Sequence, residues 1–258
     1  MDCIIAAGGT ILPEDPLFPY SHGRPKALID VAGQTMLERV AQAVGGSRHV
    51  DGVIVAGLDE SVLAGLQLPL LLAVLPDAGS LVGNMKAALE WRLEQARPGD
   101  QILVSTADIP MLTAGVVDAF IDQCRPFDHL VYYNLVTRET MEARFPNSNR
   151  TFVRLRDADV AGGDLLLVQS RVVESDEALW NALADARKHA WQAARLVGLG
   201  TLLRLLTRRL TVRQVEEAAT RVFSAPVRVL LSPHATLAMD ADKPEQVELL
   251  RRHLTAGN

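Results

Sequence analysis

The 258-residue sequence has few cysteines and no excess of positive charge. Its two cysteines, Cys3 and Cys124, cannot form a disulfide scaffold, which is typical of a chain that folds in a reducing cytoplasm. Lysine and arginine number 26 against 31 aspartates and glutamates, so the formal net charge is −5. Because no broad basic field is present, we expect no nucleic-acid partner.

Long hydrophobic runs are also absent. The longest apolar segment, residues 63–75, is interrupted by Gly65, Gln67 and Pro69 and is too short to span a membrane. Residues 1–5 lack the basic region and the long apolar stretch of a signal peptide. We therefore expect a cytoplasmic protein with no membrane partner.

Hydrophobic residues make up 48% of the chain, which is enough to bury a sizeable core. Short aliphatic runs alternate with helical patterns, and this alternation predicts a mostly parallel α/β sheet. The pattern predicts strands at residues 2–6, 52–56, 70–75, 101–106, 129–136, 150–155, 164–169, 227–231 and 236–239. It predicts helices at residues 35–45, 81–96, 113–124 and 243–254. The strand at 70–75 is predicted to be buried, and residues 161–163 are predicted to form a turn.

The second half of the chain departs from this alternation of strand and helix patterns. Residues 175–222 have an almost wholly helical pattern, with breaks near Gly198, Gly200 and Thr211. We find no internal repeat, low-complexity tract or obvious linker. We therefore predict one three-layer α/β/α domain over residues 1–258, with a helical elaboration at about 175–222.

The first predicted strand leads into a glycine-containing loop, a pattern that favours phosphate binding. Glycines let backbone N–H groups approach anionic oxygens without a side chain in the way. A tight strand-to-loop turn would have the same pattern, and the loop matches neither a Walker motif nor a dinucleotide-binding fingerprint. Two cations, Arg24 and Lys26, follow on a turn stiffened by Pro25 and suit a triphosphate. The predicted loop consists of Ala6, Ala7, Gly8, Gly9 and Thr10.

These segments resemble the nucleotidyltransferase superfamily with a glycosyltransferase A-type, Rossmann-like fold. Its members include sugar-phosphate nucleotidyltransferases and molybdenum cofactor guanylyltransferases. The resemblance lies in residues 5–10, 25–28 and 31–34, and it implies that Lys26 neutralises phosphate charge at the reacting centre. The arginine that usually follows the loop threonine is replaced by Ile11, and we expect Arg24 to supply the missing cation.

Carboxylates follow two other predicted strands. Asp108 comes after the strand at 101–106, at the sheet edge where ligands of open α/β folds bind. There it can hold Mg²⁺ together with phosphate oxygens, although a helix cap or turn residue would look the same. Asp240 and Asp242 follow the strand predicted at 236–239, and Asp242 could also cap the helix beginning near Pro244. The resemblance implies that Asp108 and Asp242, ahead of Asp240, hold the metal.

Two further segments are candidates for substrate contacts. Ser80 and Asn84 lie where relatives place the nucleobase, although Ser80 is also a plausible helix N-cap. Arg150, Thr151 and Gly163 lie where relatives bind the acceptor, although a loop and a hairpin turn would explain the same polar segment.

The sequence therefore predicts an enzyme that transfers a nucleotidyl group from a nucleoside triphosphate to a small-molecule acceptor. In this reaction an acceptor phosphate or hydroxyl attacks the α-phosphorus and pyrophosphate leaves, with Lys26 and Asp108 as catalytic residues and Mg²⁺ as cofactor. A glycosyltransferase is the alternative, but the second acid of its usual Asp-x-Asp motif is replaced by Pro110. A non-catalytic nucleotide-binding domain is the other alternative. The base, the acceptor and the oligomeric state remain open.

Overall fold

The computed structural model describes residues 1–175, 177–188 and 197–256 of the chain. Within these residues the strands are β1 (Asp2–Ala6), β2 (Asp30–Val31), β3 (Gln34–Thr35), β4 (Gly52–Ala56), β5 (Leu71–Leu75), β6 (Gln101–Thr106), β7 (Val131–Thr137), β8 (Val153–Arg154), β9 (Asp159–Gln169) and β10 (Val227–Ser232). The α-helices are α1 (Phe18–Ser21), α2 (Met36–Gly45), α3 (Leu81–Glu94), α4 (Ala114–Gln123), α5 (Arg138–Arg144), α6 (Glu177–Lys188), α7 (Leu199–Leu206), α8 (Val212–Phe223) and α9 (Pro244–Ala256). None of these helices is both long enough and apolar enough to cross a membrane.

The main sheet has the strand order β10-β7-β9-β6-β1-β4-β5, and β8 pairs with β9. β1 runs parallel to β4 and β6, β4 runs parallel to β5, and β10 runs parallel to β7. β9 is antiparallel to both of its neighbours on this path, β6 and β7. The predicted α/β fold with a mostly parallel, Rossmann-like sheet is therefore confirmed.

Hydrophobic side chains cover both faces of the sheet. Along β1, Cys3 and Ile5 join a core that includes buried residues of α2, α4 and α9, whereas Ile4 joins a second core with residues of α3 and α6. This division follows from the strand geometry, because successive side chains point to opposite faces. The result is the predicted three-layer arrangement, with helices on both sides of the sheet.

The start of α2 illustrates how local sequence sets an element boundary. The Glu38 amide donates to Thr35 Oγ1 at 3.1 Å, and the Thr35 amide donates to Glu38 Oε2 at 3.0 Å. This reciprocal pair is a capping box, and it starts the helix predicted at residues 35–45. The helix ends at Gly45, the last residue of the predicted range, with Gly46 as its C-cap.

Three sequence predictions are wrong, and a fourth is right only in part. β5 is an edge strand rather than a buried one, and Leu71 is 40% exposed. Residues 161–163 are not a turn but lie inside the 11-residue strand β9. The strand predicted at 236–239 is instead a 3-10 helix, Ala235–Ala238, whose apolar residues pack in the core. In addition, only Val153–Arg154 of the strand predicted at 150–155 is extended in the sheet.

Candidate active site

The glycine loop and the Asp108 turn leave the sheet side by side. β1 and β6 are neighbouring parallel strands, with Ala6 opposite Thr106 at their carboxyl ends. Beyond these ends, the Ala107 amide still donates to the Ala6 carbonyl at 3.0 Å. The fold therefore brings two segments about 100 residues apart in sequence to the edge where open α/β sheets bind ligands.

The glycine loop is closely packed on its inner side. A Cβ on Gly8 would run into Asn84 Nδ2, and one on Gly57 would run into the backbone of Gly8. Gly9 has φ = +123°, a conformation that favours glycine, and its side-chain position is open. The loop therefore requires glycine for close packing at Gly8 and for backbone conformation at Gly9, while Thr10 is exposed.

Lys26 lies at the centre of the cleft. Its backbone amide donates to the Gly9 carbonyl at 3.4 Å, which ties the lysine segment to the glycine loop. Its Nζ donates to Asp108 Oδ2 at 2.5 Å and also to Asp242 Oδ1. Burial alone would lower the pKa of Lys26, but the charges of Asp108 and Asp242 raise it above its usual value. The ammonium group is therefore charged at neutral pH.

Asp108 is fixed by two further contacts. Thr106 Oγ1 donates to Asp108 Oδ1 at 2.6 Å, and the Ala241 amide donates to the Asp108 carbonyl at 3.1 Å. Burial by itself would raise the pKa of Asp108, but the charge and hydrogen bonds of Lys26, with the bond from Thr106, hold it below its usual value. Asp108 is therefore an ionised carboxylate beside a fixed cation.

Arg150 forms a second charged group in the same region. It pairs with Asp240 through Nη1, and its Nη2 lies 3.8 Å from Asp164 Oδ2 and donates to the Gly162 carbonyl at 3.1 Å. Burial raises the pKa of Asp240 to about 6, although the charge of Arg150 partly opposes the rise. Burial and the nearby Asp108 and Asp240 raise the pKa of Asp164 well above its usual value.

Asp164 is a site residue that the sequence prediction missed. The prediction placed a hairpin turn at residues 161–163, which would have put Asp164 at the start of a new strand rather than in the middle of one. In the structure β9 continues through these residues and carries Asp164 into the cleft. The only sequence feature that could have identified it is an acidic residue directly after two glycines, Gly162 and Gly163.

A cleft of about 220 Å³ lies among Lys26 and these carboxylates, whereas the predicted site residue Arg150 is not part of its lining. Of the predicted site residues, seven line it: Ala6, Ala7, Gly8, Lys26, Asp108, Asp240 and Asp242. Asp164 lines it too. Asp242 is two residues before the first residue of α9, so the N-cap position falls on Lys243 and the Asp242 side chain pairs with Lys26 instead.

The other predicted residues do not line this cleft. Gly9, Thr10, Arg24 and Thr151 are exposed, and no side-chain hydrogen bond or ion pair of Arg24 occurs among the described residues. Ser80 accepts from the Gly83 amide at 2.9 Å as the N-cap of α3, and Asn84 is buried. Asn84 Oδ1 accepts from the Ala78 amide at 2.6 Å, so its side chain joins the segment before α3 to the underside of Gly8. Gly163 lies in β9, where a Cβ would collide with the side chain of Asn134.

The donor set suits a hard divalent cation, although it is not a complete protein cage. No three His, Cys, Asp or Glu side chains of the described residues are arranged to hold a metal ion together. Two buried carboxylate oxygens, Asp164 Oδ2 and Asp240 Oδ1, accept no hydrogen bond. Mg²⁺ is commonly held by only one or two carboxylates, with phosphate oxygens and water completing its coordination.

Comparison with known proteins places this chain in a family. The sequence matches the family described as the MobA-like NTP transferase domain over residues 21–219. The matched range contains Lys26, Asp108 and Asp164, begins after the glycine loop and ends before Asp240. A solved structure described as a hypothetical transferase from Thermus thermophilus is 32% identical, with a TM-score of 0.81 over 95% of this chain and 98% of that chain.

Two cytidylyltransferase-type structures are more distant relatives. CMP:2-keto-3-deoxy-manno-octonic acid synthetase, solved in complex with CTP, is 14% identical, with a TM-score of 0.61 over 100% of this chain and 99% of that chain. The 2-C-methyl-D-erythritol 4-phosphate cytidylyltransferase from Thermus thermophilus is 17% identical, with a TM-score of 0.53 over 98% of both chains. At these identities the likeness is one of fold.

Proposed function

The chain belongs to the family of MobA-like NTP transferase domains, and we propose that it transfers a nucleoside monophosphate from a nucleoside triphosphate to a small-molecule acceptor. One observation carries this proposal. A single ammonium group, Lys26 Nζ, bonds to both Asp108 and Asp242 beside the glycine loop, although these residues are far apart in the chain. Such an arrangement suits a reaction on a polyphosphate, in which positioning and charge neutralisation supply most of the catalysis.

In the proposed reaction, a phosphate or hydroxyl oxygen of the acceptor forms a bond to the α-phosphorus. The bond from the α-phosphorus to the bridging oxygen breaks, and pyrophosphate leaves. Backbone amides of the glycine loop bind phosphate oxygens, and Lys26 Nζ places a fixed positive charge beside them. Asp108, held by Thr106, orients that ammonium group. No covalent enzyme intermediate is needed.

The charge balance of the cleft supports a requirement for a divalent cation. Four carboxylates (Asp108, Asp164, Asp240 and Asp242) face two cations, Lys26 and Arg150, which gives a formal charge of 2 − 4 = −2 if all are ionised. When all four carboxylates are ionised, a triphosphate would be repelled by the site, and the raised pKa values of Asp164 and Asp240 reduce this repulsion. We propose that Asp108 and Asp242 hold Mg²⁺, with Asp240 next to them. The ion would neutralise phosphate charge there.

Nucleotide binding is the first part of the proposal to test. The four nucleoside triphosphates are screened by thermal denaturation of the full chain, with and without Mg²⁺. We expect at least one triphosphate to raise the melting temperature in a Mg²⁺-dependent manner, because ligand bound to the native state stabilises it. The stabilising triphosphate is then assayed for pyrophosphate release with sugar phosphates and cofactor precursors as acceptors.

Asp108→Asn tests the catalytic assignment. The substitution keeps the shape of the side chain and removes the charge that faces Lys26, so we expect pyrophosphate release to fall by at least about a hundredfold with the fold intact. Asp100→Asn is a matched control, because exposed Asp100 precedes the amino end of β6 whereas Asp108 follows its carboxyl end. Wild-type turnover by Asp108→Asn would contradict the proposal.

A further inference from the structure

A second space, larger than the charged cleft and different in chemistry, lies between the sheet and helices α3, α6 and α8. It is a cavity of about 470 Å³, within the range of roughly 300–1,000 Å³ that is usual for small-molecule sites. Its walls are mainly aliphatic and aromatic, with Met85 on α3, Leu166 on β9, Ala219 and Phe223 on α8, and Val229 on β10. None of these residues has a part in the proposed chemistry.

The cavity adjoins the charged cleft. Ala6, Leu81, Thr106 and Asp164 line both spaces. A ligand with its reactive group beside Lys26 can therefore extend from the cleft into the cavity without leaving the protein.

The apolar wall is incompletely packed. Met85, Leu166, Ala219 and Phe223 are only half-buried, although they adjoin a hydrophobic core whose central residues are fully buried. Protein interiors are normally close-packed, and an apolar void forfeits the contacts that its lining would otherwise make. Water fills such a space poorly because it finds few hydrogen-bond partners there. An apolar ligand group is the occupant that this lining favours.

A nucleobase fits the lining less well. Among the described residues that line the cavity, the polar side chains are Ser105, Thr106, Tyr133 and Asp164. Thr106 is already hydrogen-bonded to Asp108, and Ser105 Oγ donates to the Thr106 carbonyl at 2.9 Å. A base carries several polar groups around its edge, and burying them without partners is costly.

We infer that this cavity binds an apolar portion of the acceptor. The acceptor is then an amphipathic small molecule, in which an alkyl chain or apolar ring system carries the phosphate or hydroxyl group that reacts beside Lys26. The inference rests on the proposed function, because the acceptor end of the molecule is assigned to the cleft that contains Asp108.

Chain-length dependence of binding tests this inference. The probes are n-alkyl phosphates from butyl to decyl, titrated calorimetrically into the full chain below their micelle-forming concentrations, with a saturating α,β-methylene triphosphate analogue and Mg²⁺. We expect the dissociation constant to fall by about fourfold for each added methylene until the cavity is filled. Equal affinities for the butyl and decyl phosphates would overturn the inference. The series is repeated without the analogue. If the affinities depend on chain length without the analogue but are equal with it, the inference is also overturned, because the nucleotide would then occupy the cavity.

Ala219→Trp locates the binding. The indole would fill part of the cavity, so we expect the dependence on chain length to be lost while the triphosphate analogue still stabilises the variant. Ala143→Trp is the matched control, since it places the same side chain on an exposed position of another helix, α5. A chain-length dependence that survives in Ala219→Trp would overturn the inference. If Ala219→Trp does not fold, the wild-type series alone decides.

Failure of this inference can be distinguished from failure of the proposed function. If alkyl phosphates bind without regard to length but pyrophosphate release still requires Asp108, the acceptor is polar and the proposed function stands. If binding depends on length but no triphosphate is cleaved, the apolar site stands and the proposed reaction does not.

Discussion

Asp2 is a buried carboxylate at the opposite end of β1 from the glycine loop, and it supports the sheet rather than the cleft. Arg92 Nε donates to Asp2 Oδ2 at 2.7 Å, and Arg97 donates to both carboxylate oxygens at 2.8 Å. Arg92 also donates to the carbonyls of Pro98 and Gly99. Burial alone would raise the pKa of Asp2, but the two arginines hold it below its usual value.

Replacing Asp2 by asparagine leaves the buried Arg92 without a charged partner. Removing one member of a buried ion pair commonly costs about 3–5 kcal/mol, so we expect the free energy of unfolding at pH 7 to fall by roughly 3 kcal/mol in urea denaturation. Asp51→Asn serves as the control, because Asp51 pairs with the N-terminus while being 78% exposed, and it should change stability by less than about 1 kcal/mol. Equal effects of the two substitutions would contradict the role of burial.

The effect of Asp2→Asn should also depend on pH. Because the pKa of Asp2 is lower in the folded state, its stabilisation is complete above the ordinary aspartate pKa of about 4 and is lost as the pH falls through the lowered value. The difference in unfolding free energy between wild type and variant should therefore be largest near pH 7 and shrink below about pH 4. A difference that grew on acidification would have the wrong sign.

Among the strands and loops, the contact between the ends of β1 and β4 determines the shape of the glycine loop. Gly57 follows β4 with φ = +103°, and its amide donates to the Leu75 carbonyl at 2.9 Å. Its Cα side faces the Gly8 backbone so closely that any Cβ would overlap it. Gly57 therefore supports the glycine loop from outside the segment that the sequence analysis identified.

We expect Gly57→Ala to displace the glycine loop and strain the backbone. The dissociation constant of the stabilising triphosphate should rise by about tenfold, and the free energy of unfolding should fall by roughly 1–3 kcal/mol. Gly115→Ala is the control, because Gly115 is exposed in α4 with nothing near its Cβ position. That substitution should leave affinity unchanged and leave stability equal or slightly higher. Wild-type affinity in Gly57→Ala would argue against the loop as the phosphate site.

The accuracy of the sequence prediction varied with the length and burial of each element. β1, β4 and β6 are short runs of buried aliphatic residues, and their bounds were predicted because such runs are characteristic of central parallel strands. The 3-10 helix Ala235–Ala238 was predicted as a strand at 236–239, because a mostly apolar segment of four residues is too short to have a distinguishing period.

β9 shows why part of the candidate site could not be predicted. Ala161, Gly162 and Gly163 have the composition of a turn, but here small residues are required by the neighbouring strand. A Cβ on Gly162 would meet the Tyr133 hydroxyl, and one on Gly163 would meet Asn134. Both contacts come from β7, the antiparallel neighbour of β9, and depend on a register that the local sequence does not contain. The sequence analysis therefore placed Asp164 at the start of a strand, after a turn, rather than inside a long strand, and missed it as a site residue.

For the chain as a whole, the family match and the candidate site overlap only in part. The matched residues 21–219 include Lys26 and Asp108, whereas the glycine loop, Asp240 and Asp242 lie outside them. These outer segments reach the same cleft because β1 and the segment before α9 end at the same edge of the sheet. Within the described part of residues 175–222, the helical elaboration consists of α6, α7 and α8. Its residues Leu183, Ala219 and Phe223 line the apolar cavity.

Nucleotidyl transfer differs from other reactions of a triphosphate in where the phosphate groups go. The full chain is incubated with Mg²⁺, a small-molecule metabolite extract and the stabilising triphosphate, labelled with ³²P either at the α or at the γ position. With the wild-type protein, we predict that the α label enters a new product and that the γ label appears in pyrophosphate. With Asp108→Asn, we predict neither outcome. Recovery of the γ label as orthophosphate or in the acceptor, with the α label retained in a nucleoside diphosphate, would contradict nucleotidyl transfer.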